Sequence, residues 1–394
     1  MNIRMLILST LAFAFCIGTG VNAQGTGDTS EESARNRAAI ESYKGQESRT
    51  EQVGPTMFRV RPTDTPYEHW FAANKDSMPT FEGVVIQDAR TYPLAPWDRF
   101  GVDGMYIKMA DYQITDGWIL EIPPKGEIKP QRHVYEAGLY FFGGPGHIIL
   151  QQEGRRPQRI DYGHRALYSI PNNVRYQIFN DSDEVVRIVA VSSFPFLMNA
   201  MNNEDFIYKN DFAFTDRYDA EEDYGTYSEH TGDNDTVTNF VPDALEFELD
   251  SYDHRGKGTS NMHWKMSGNS IIDMHVSEMP GGLYKKAHRH SSDAFILLTS
   301  GNGYSLTWPE GRYEDRIRVD WNEGTIFVPP IYWYHQHMNP DPNPENSARY
   351  LAINAPPIVV SLGLRFNDQL EVDMPEMEAE FKAEVAKRKA AAGM

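Results

Sequence analysis

Two short histidine clusters constrain this chain more than anything else in it. His288 and His290 stand two residues apart in KKAHRHSSDAFILLTSGNGY. His335 and His337 stand two apart in PPIYWYHQHMN, with His335 45 residues after His290. On a strand, residues i and i+2 point to the same side. His288 and His290 can therefore aim at one point, and His335 must reach it from a second strand folded back beside the first. Three imidazoles converging in this way make a transition-metal site that suits iron, zinc, copper or nickel. The expected ligands are His288, His290 and His335, with His337 behind them.

The residues around these histidines resemble the cupin family. Its first half-motif is met by Gly282, His288, His290 and Gly301, and its second by Gly324, Pro330, His335 and Asn339. The motif glutamate falls on Ala294 and a motif glycine on Tyr332. The resemblance implies an all-β fold: two tandem cupin (double-stranded β-helix, jelly-roll) barrels, here followed by a C-terminal helix. Within that family the metal stretch is most similar to three-histidine ring-cleaving dioxygenases of the gentisate and salicylate type. The residues that carry this likeness are Ala287-His288-Arg289-His290 with Ala294, and Tyr332, Trp333, Tyr334, His335, His337 and Asn339. It implies one divalent transition metal with Fe(II) favoured, Mn, Ni, Cu or Zn being alternatives. Two features depart from those enzymes. The intact motif lies in the second barrel, and the arginine that they place shortly after the alanine is Ile296 here.

The chain carries a weaker copy of the motif. A shift of 157 residues sets Gly144-Pro145-Gly146 on Gly301-Asn302-Gly303, and with it Gln131 on His288, His133 on His290 and Ala137 on Ala294. Aligning Pro171 and Asn180 with Pro330 and Asn339 sets Tyr176 on His335. One imidazole with a glutamine and a tyrosine is a poor divalent-metal set. The first barrel is expected to be structural, with a degenerate metal site or a pocket for a small organic ligand, Glu136 near its mouth, as the alternatives. Short runs such as GWILEIPP, AGLYFFGG, GHIILQQ, ALYSIPN, RYQIFN and VVRIVAVSSF, broken by turn residues, support a barrel there.

The organisation read along the chain begins with a signal peptide at 1–23. A flexible arm at 24–56 leads to an N-terminal cupin at 57–199. An acidic, aromatic linker at 200–256 joins it to the metal-binding C-terminal cupin at 257–364. A helix at 365–394 ends the chain, with acids early and Lys387, Arg388 and Lys389 late, as the helix dipole prefers. Residues 1–23 combine Arg4, an apolar run too short to span a bilayer, and the small-residue exit Val21-Asn22-Ala23. A secreted or periplasmic destination follows. The one cysteine, Cys16, lies in that leader, so the mature chain has no disulfide. The net charge of −19 argues against nucleic acid and against an anionic membrane surface as partners. The expected partner is a small-molecule substrate, and a homo-oligomer is left open.

Three function classes fit a three-histidine centre. A dioxygenase would bind an oxygen-chelating substrate, an aromatic acid among them, together with dioxygen. A lyase or isomerase would use the metal as Lewis acid and a side chain as base. A binding protein would hold a small molecule and catalyse nothing. His275, Tyr304 and His337 are the catalytic candidates, Tyr284 and Trp333 the substrate-binding ones. Lys285, Lys286 and Arg289 are read as exposed bases at the rim.

Overall fold

The computed structural model describes residues 65–110, 112–266, 272–354, 359, 362–363 and 366–393, together with the backbone of two short strands, Thr50–Val53 and Thr56–Arg59. The leader and nearly all of the arm lie outside the described residues.

The apolar runs of the first half are strands: Asp116–Ile122, Ala137–Phe142, Gly146–Gln151, Leu167–Ile170, Arg175–Asn180 and Val186–Ser192. Four of them join Val102–Met109 and Thr80–Gly83 in one large sheet, and Gly146–Gln151 lies between Gln158–Tyr162 and Arg175–Asn180 in a smaller one. The second half repeats the scheme. Its large sheet is built on Ser260–Lys265, Asp273–Met279, Ala348–Asn354 and Ala294–Ser300; its smaller sheet on Ile317–Asn322, Asn302–Trp308, Tyr334–Asn339 and His288–His290.

Strand alternation sorts the side chains into layers. Trp118, Leu120, Ile122, Leu139, Phe141, Ile148, Ile178 and Ile188 fill the first barrel with a dry core. The intervening Ile119, Tyr140, Val189 and Val191 face the other way. They pack on Met274, Val276, Phe295 and Leu297 of the second large sheet. The two large sheets thus lie back to back, buried on both faces, which explains why their strands read as nearly unbroken apolar runs. The approach is close at Gly138, where an added Cβ would sit 2.2 Å from the Met274 terminal methyl.

Short strands cross between the halves. Val85–Ile86, early in the chain, pairs with Ile326–Phe327 in the second large sheet. Phe240–Val241, from the segment read as linker, pairs with Leu167–Ile170 in the first. Polar ties add to this. The Asp293 carboxylate accepts from the Ile114 and Thr115 amides at 3.0 and 2.8 Å and from the Thr115 hydroxyl at 3.1 Å. Tyr112 donates its hydroxyl proton to the Pro329 carbonyl at 2.8 Å. Glu136, expected near the mouth of the first barrel, instead accepts the Ile272 amide at 2.9 Å, in the second half of the chain. Its strand-adjacent position turns it toward the inter-barrel seam.

The C-terminal helix, Pro375–Ala391, is shorter than the segment read for it. Pro375 starts it, Glu376 and Glu378 occupy its first turn, and Arg388 and Lys389 its last. Met377 and Phe381 bury themselves against Tyr304, Leu306, Trp308, Tyr334 and Met338, on the outer face of the smaller sheet of the second barrel. Among the described residues no helix is long and apolar enough to cross a membrane.

Candidate metal centre

The interior of the second barrel gathers histidines where that of the first is mostly apolar and aromatic. His288 and His335 are register partners on adjacent antiparallel strands, and His290 lies two residues along from His288. The His288 and His335 ring centroids are 4.2 Å apart, those of His290 and His335 4.9 Å, and those of His288 and His290 5.8 Å. One nitrogen from each ring falls within 4.8 Å of the other two.

Backbone carbonyls decide which nitrogen faces inward. Nδ1 of His288 lies 3.2 Å from the Lys286 carbonyl, Nδ1 of His290 2.7 Å from that of Ser292, and Nδ1 of His335 3.3 Å from that of Trp333. A carbonyl only accepts, so each Nδ1 carries the proton and each Nε2 is left with a lone pair. Burial pushes His335 down to about 3 and His288 well below the usual imidazole range, the neighbouring His335 adding to the effect on His288. The His288 and His335 rings are neutral near pH 7. Three imidazoles oriented by their second nitrogens fit a divalent transition metal.

The trio opens on a cavity of about 220 Å³. Its other polar walls include Arg255, Lys285, His263, His275 and His337, and among the described residues no carboxylate lines it. Ala294 lies in that wall, so the position of the family's glutamate does face the trio and offers no ligand atom. His337 follows His335 on the same strand, but its Nδ1 is 2.8 Å from the Ser305 hydroxyl, which also accepts the Trp321 indole proton at 3.0 Å. It stands outside the ligand trio. His275 faces His263 across two paired strands, ring centroids 4.8 Å apart. The His263 Nδ1 lies 3.2 Å from the Asp273 carboxylate. Burial pushes Asp273 up, but the His263 hydrogen bond and the nearby positive charges outweigh it and bring the carboxyl down to about 2.

Other candidates fall elsewhere. Tyr304 sits on the outer face of its strand against the C-terminal helix, with the Arg318 guanidinium 3.8 Å from its ring centroid. Ser305 and Thr307, next to it in sequence, alternate to the face of His337 and His335. Tyr284 packs on Phe381 and donates to Asp373 at 3.0 Å. Trp333 is fully buried away from the cavity. The catalytic role read for Tyr304 and the substrate contacts read for Tyr284 and Trp333 are therefore corrected. All three were chosen by closeness in sequence to the metal strands; register sets Tyr284 and Tyr304 beside Met338 on the outer face, and Trp333 lies just before its strand begins and does not line the cavity. Lys285 is corrected in the opposite sense. It is buried, lines the cavity and donates to the Tyr350 hydroxyl at 3.0 Å. Arg289 points outward to Glu310 at 2.7 Å and Asp368 at 3.2 Å. Lys286 pairs with Glu371 at 2.6 Å.

The first barrel keeps the same frame with other side chains. Gln131 bridges Tyr176 where His288 pairs with His335. The Asn173 amide donates to the His133 carbonyl at 2.7 Å, as the Tyr332 amide does to that of His290 at 3.0 Å. Both residues are left-handed, with φ of 58° and 66°. That explains the family's preference for glycine where Tyr332 stands. His133 spends both nitrogens, Nδ1 on the Tyr135 carbonyl at 2.9 Å and Nε2 against the Tyr176 hydroxyl at 3.1 Å. No second ligand trio forms around it among the described residues.

No family model and no curated protein matches the chain. Among solved structures it is similar to an oxalate decarboxylase from Lactobacillus farciminis in complex with formate. Identity is 10%, 73% of this chain and 88% of that one are covered, and the TM-score is 0.47. A second oxalate decarboxylase structure matches at 11% identity over 84% and 93% of the two chains, TM-score 0.48. The salicylate 1,2-dioxygenase of Pseudaminobacter salicylatoxidans matches at 13% identity over 66% and 76%, TM-score 0.45. The fold is cupin-like in both barrels. With TM-scores below 0.5, the reaction is argued from the site alone.

Proposed function

We propose that the second barrel is a metal-dependent catalytic centre for a small, oxygen-rich organic acid, and that its reaction is of the lyase or isomerase type. One observation carries this reading: three backbone-anchored imidazoles open on a cavity whose only charged lining groups among the described residues, Arg255 and Lys285, are cations. His288, His290 and His335 would hold the metal through Nε2, Fe(II) being the ion to test first. When bound, a divalent cation there supplies Lewis acidity at a substrate oxygen. Lys285, steadied by Tyr350, and Arg255 draw in and orient a carboxylate. His275 borders the same cavity and is the group placed to take and return a proton, with His263 and Asp273 fixing its surroundings.

A dioxygenase remains the second reading because Ala294 supplies no fourth ligand, leaving room for a bidentate substrate and dioxygen together. The leader-like first 23 residues support export, so the metal would be acquired outside the cytoplasm. The test is turnover of a panel of hydroxy-, oxo- and dihydroxyaromatic acids by metal-loaded protein, under argon and in air. Metal-dependent conversion under argon, weakened in His275→Gln, supports the proposal. Conversion that consumes dioxygen mole for mole transfers the assignment to the second reading. Full metal occupancy without turnover of any acid would leave a binding protein.

A further inference from the structure

The first barrel holds a cavity that the proposed reaction does not use. It measures about 240 Å³, below the range usual for drug-sized ligands, and Trp97, Phe100, Trp118, Phe194 and Tyr208 form much of its wall. Arg99 borders it. The guanidinium carbon lies 4.3 Å from the Tyr208 ring centroid and 5.5 Å from that of Phe100. One terminal nitrogen donates to the Tyr135 hydroxyl at 3.3 Å. The Arg99 Nε is sealed from solvent and has no hydrogen-bond partner, and the same holds for the Trp70 indole nitrogen in the same wall.

The hydrogen-bond inventory is one-sided. Both unmatched groups in the wall are donors. Three carboxyls also line the cavity: Asp116, buried, already receives the hydroxyls of Tyr106 and Ser192, while Asp98 and Glu204 are exposed to solvent. Arg99 as a whole is half-buried, but its Nε is sealed, and each unmatched buried donor costs on the order of 1–3 kcal/mol. What fits is a ligand bringing acceptor oxygens to Arg99 and a flat apolar body to the aromatic walls. Water would meet the donors and leave those walls wet. Among the described residues no group of three metal-ligating side chains gathers at this cavity.

We propose that this cavity is a metal-free binding site for a small aromatic monocarboxylate, its carboxylate on Arg99 and its ring between Trp97, Trp118 and Phe194. The proposal is independent of the reaction assigned to the second barrel.

The probe is sodium benzoate on the full chain, followed by calorimetry and tryptophan fluorescence, with the uncharged isostere benzamide beside it. Expected is saturable benzoate binding with about one site per chain, and benzamide at least about 10-fold weaker, the scale of a lost charge-assisted hydrogen bond. Arg99→Gln should weaken benzoate about 10- to 100-fold by the same reasoning, while His290→Ala, which damages only the metal centre, should bind as the wild type does. Equal binding of benzoate and benzamide would overturn the proposal. So would loss in His290→Ala but not in Arg99→Gln, or no saturable binding of benzoate, phenylacetate or 4-hydroxybenzoate up to about 10 mM. The benzoate–benzamide comparison needs no variant and stands even where Arg99→Gln fails to fold.

Discussion

His133 makes the stability of this protein depend on acid in a way that can be calculated. It is buried in the first barrel, its ring stacked on Tyr135 at 3.7 Å and both nitrogens engaged. Burial, reinforced by the charge of Arg99, lowers its pKa to about 3. In the unfolded chain the same side chain titrates near 6.5, as a histidine ordinarily does. As the pH falls below that value the unfolded state takes up the proton first, so stability declines with falling pH. The decline starts near pH 6.5 and saturates below about pH 3. At pH 5 the unfolded imidazole is almost fully charged and the folded one almost fully neutral. Linkage then gives about 1.36 kcal/mol for each of about 1.5 pH units, or ~2 kcal/mol lost relative to pH 7. His133→Gln removes the titration and keeps a donor and an acceptor for Tyr135 and Tyr176. The assay is urea unfolding of both proteins at pH 7 and pH 5 with chelator present, so that the other histidines contribute alike. The wild type should lose ~2 kcal/mol more than the variant between the two pH values. Parallel losses would show that His133 is not held neutral by burial, and the dry-barrel reasoning would fail with it.

Three further outcomes follow from packing and backbone geometry. Phe381→Ala should destabilise by about 3–5 kcal/mol through the cavity left under the C-terminal helix, with urea unfolding as the measurement; a loss under 1 kcal/mol would mean that the helix is not docked there. Gly138→Leu drives a side chain into Met274 at the seam between the large sheets, and a cost of about 1–3 kcal/mol is expected from overpacking, read from thermal unfolding. Tyr332→Asn replaces a left-handed tyrosine by a residue that tolerates that conformation, so stability should rise by up to about 1 kcal/mol with metal content unchanged.

Much of this architecture could be read from residues alone. The period of two placed His288 and His290 on one face, and the half-motif around Gly324, Pro330 and Asn339 brought His335 to them; the structure sets the three rings together. The correspondence of His133 with His290, and of the Pro171–Asn180 stretch with Pro330–Asn339, recurs in paired backbone bonds from Asn173 and Tyr332. What escaped were features that depend on register between strands far apart in the chain. The pairing of His263 with His275 is one, since the two are register neighbours on adjacent strands. Asn367–Gln369, read as the start of the terminal helix, is a strand that pairs with His288–His290, and Asn367 joins the cavity wall. Tyr304 has the wrong parity for the interior, and no local signal shows which face a helix some 70 residues later will cover. Lys285 next to Lys286 reads as surface charge. Only the barrel closure shows that the first points in and the second out.

The central claim is that His288, His290 and His335, and not the remnant in the first barrel or the His263–Asp273–His275 group, grip the metal. It is tested most directly by elemental analysis of protein purified from its native compartment, in parallel with His290→Ala, His335→Ala, His133→Ala and His263→Ala. The account predicts metal in the wild type, almost none in His290→Ala or His335→Ala, and wild-type content in His133→Ala and His263→Ala. Metal retained without His290 and His335, or stripped by His133→Ala or His263→Ala alone, would contradict it.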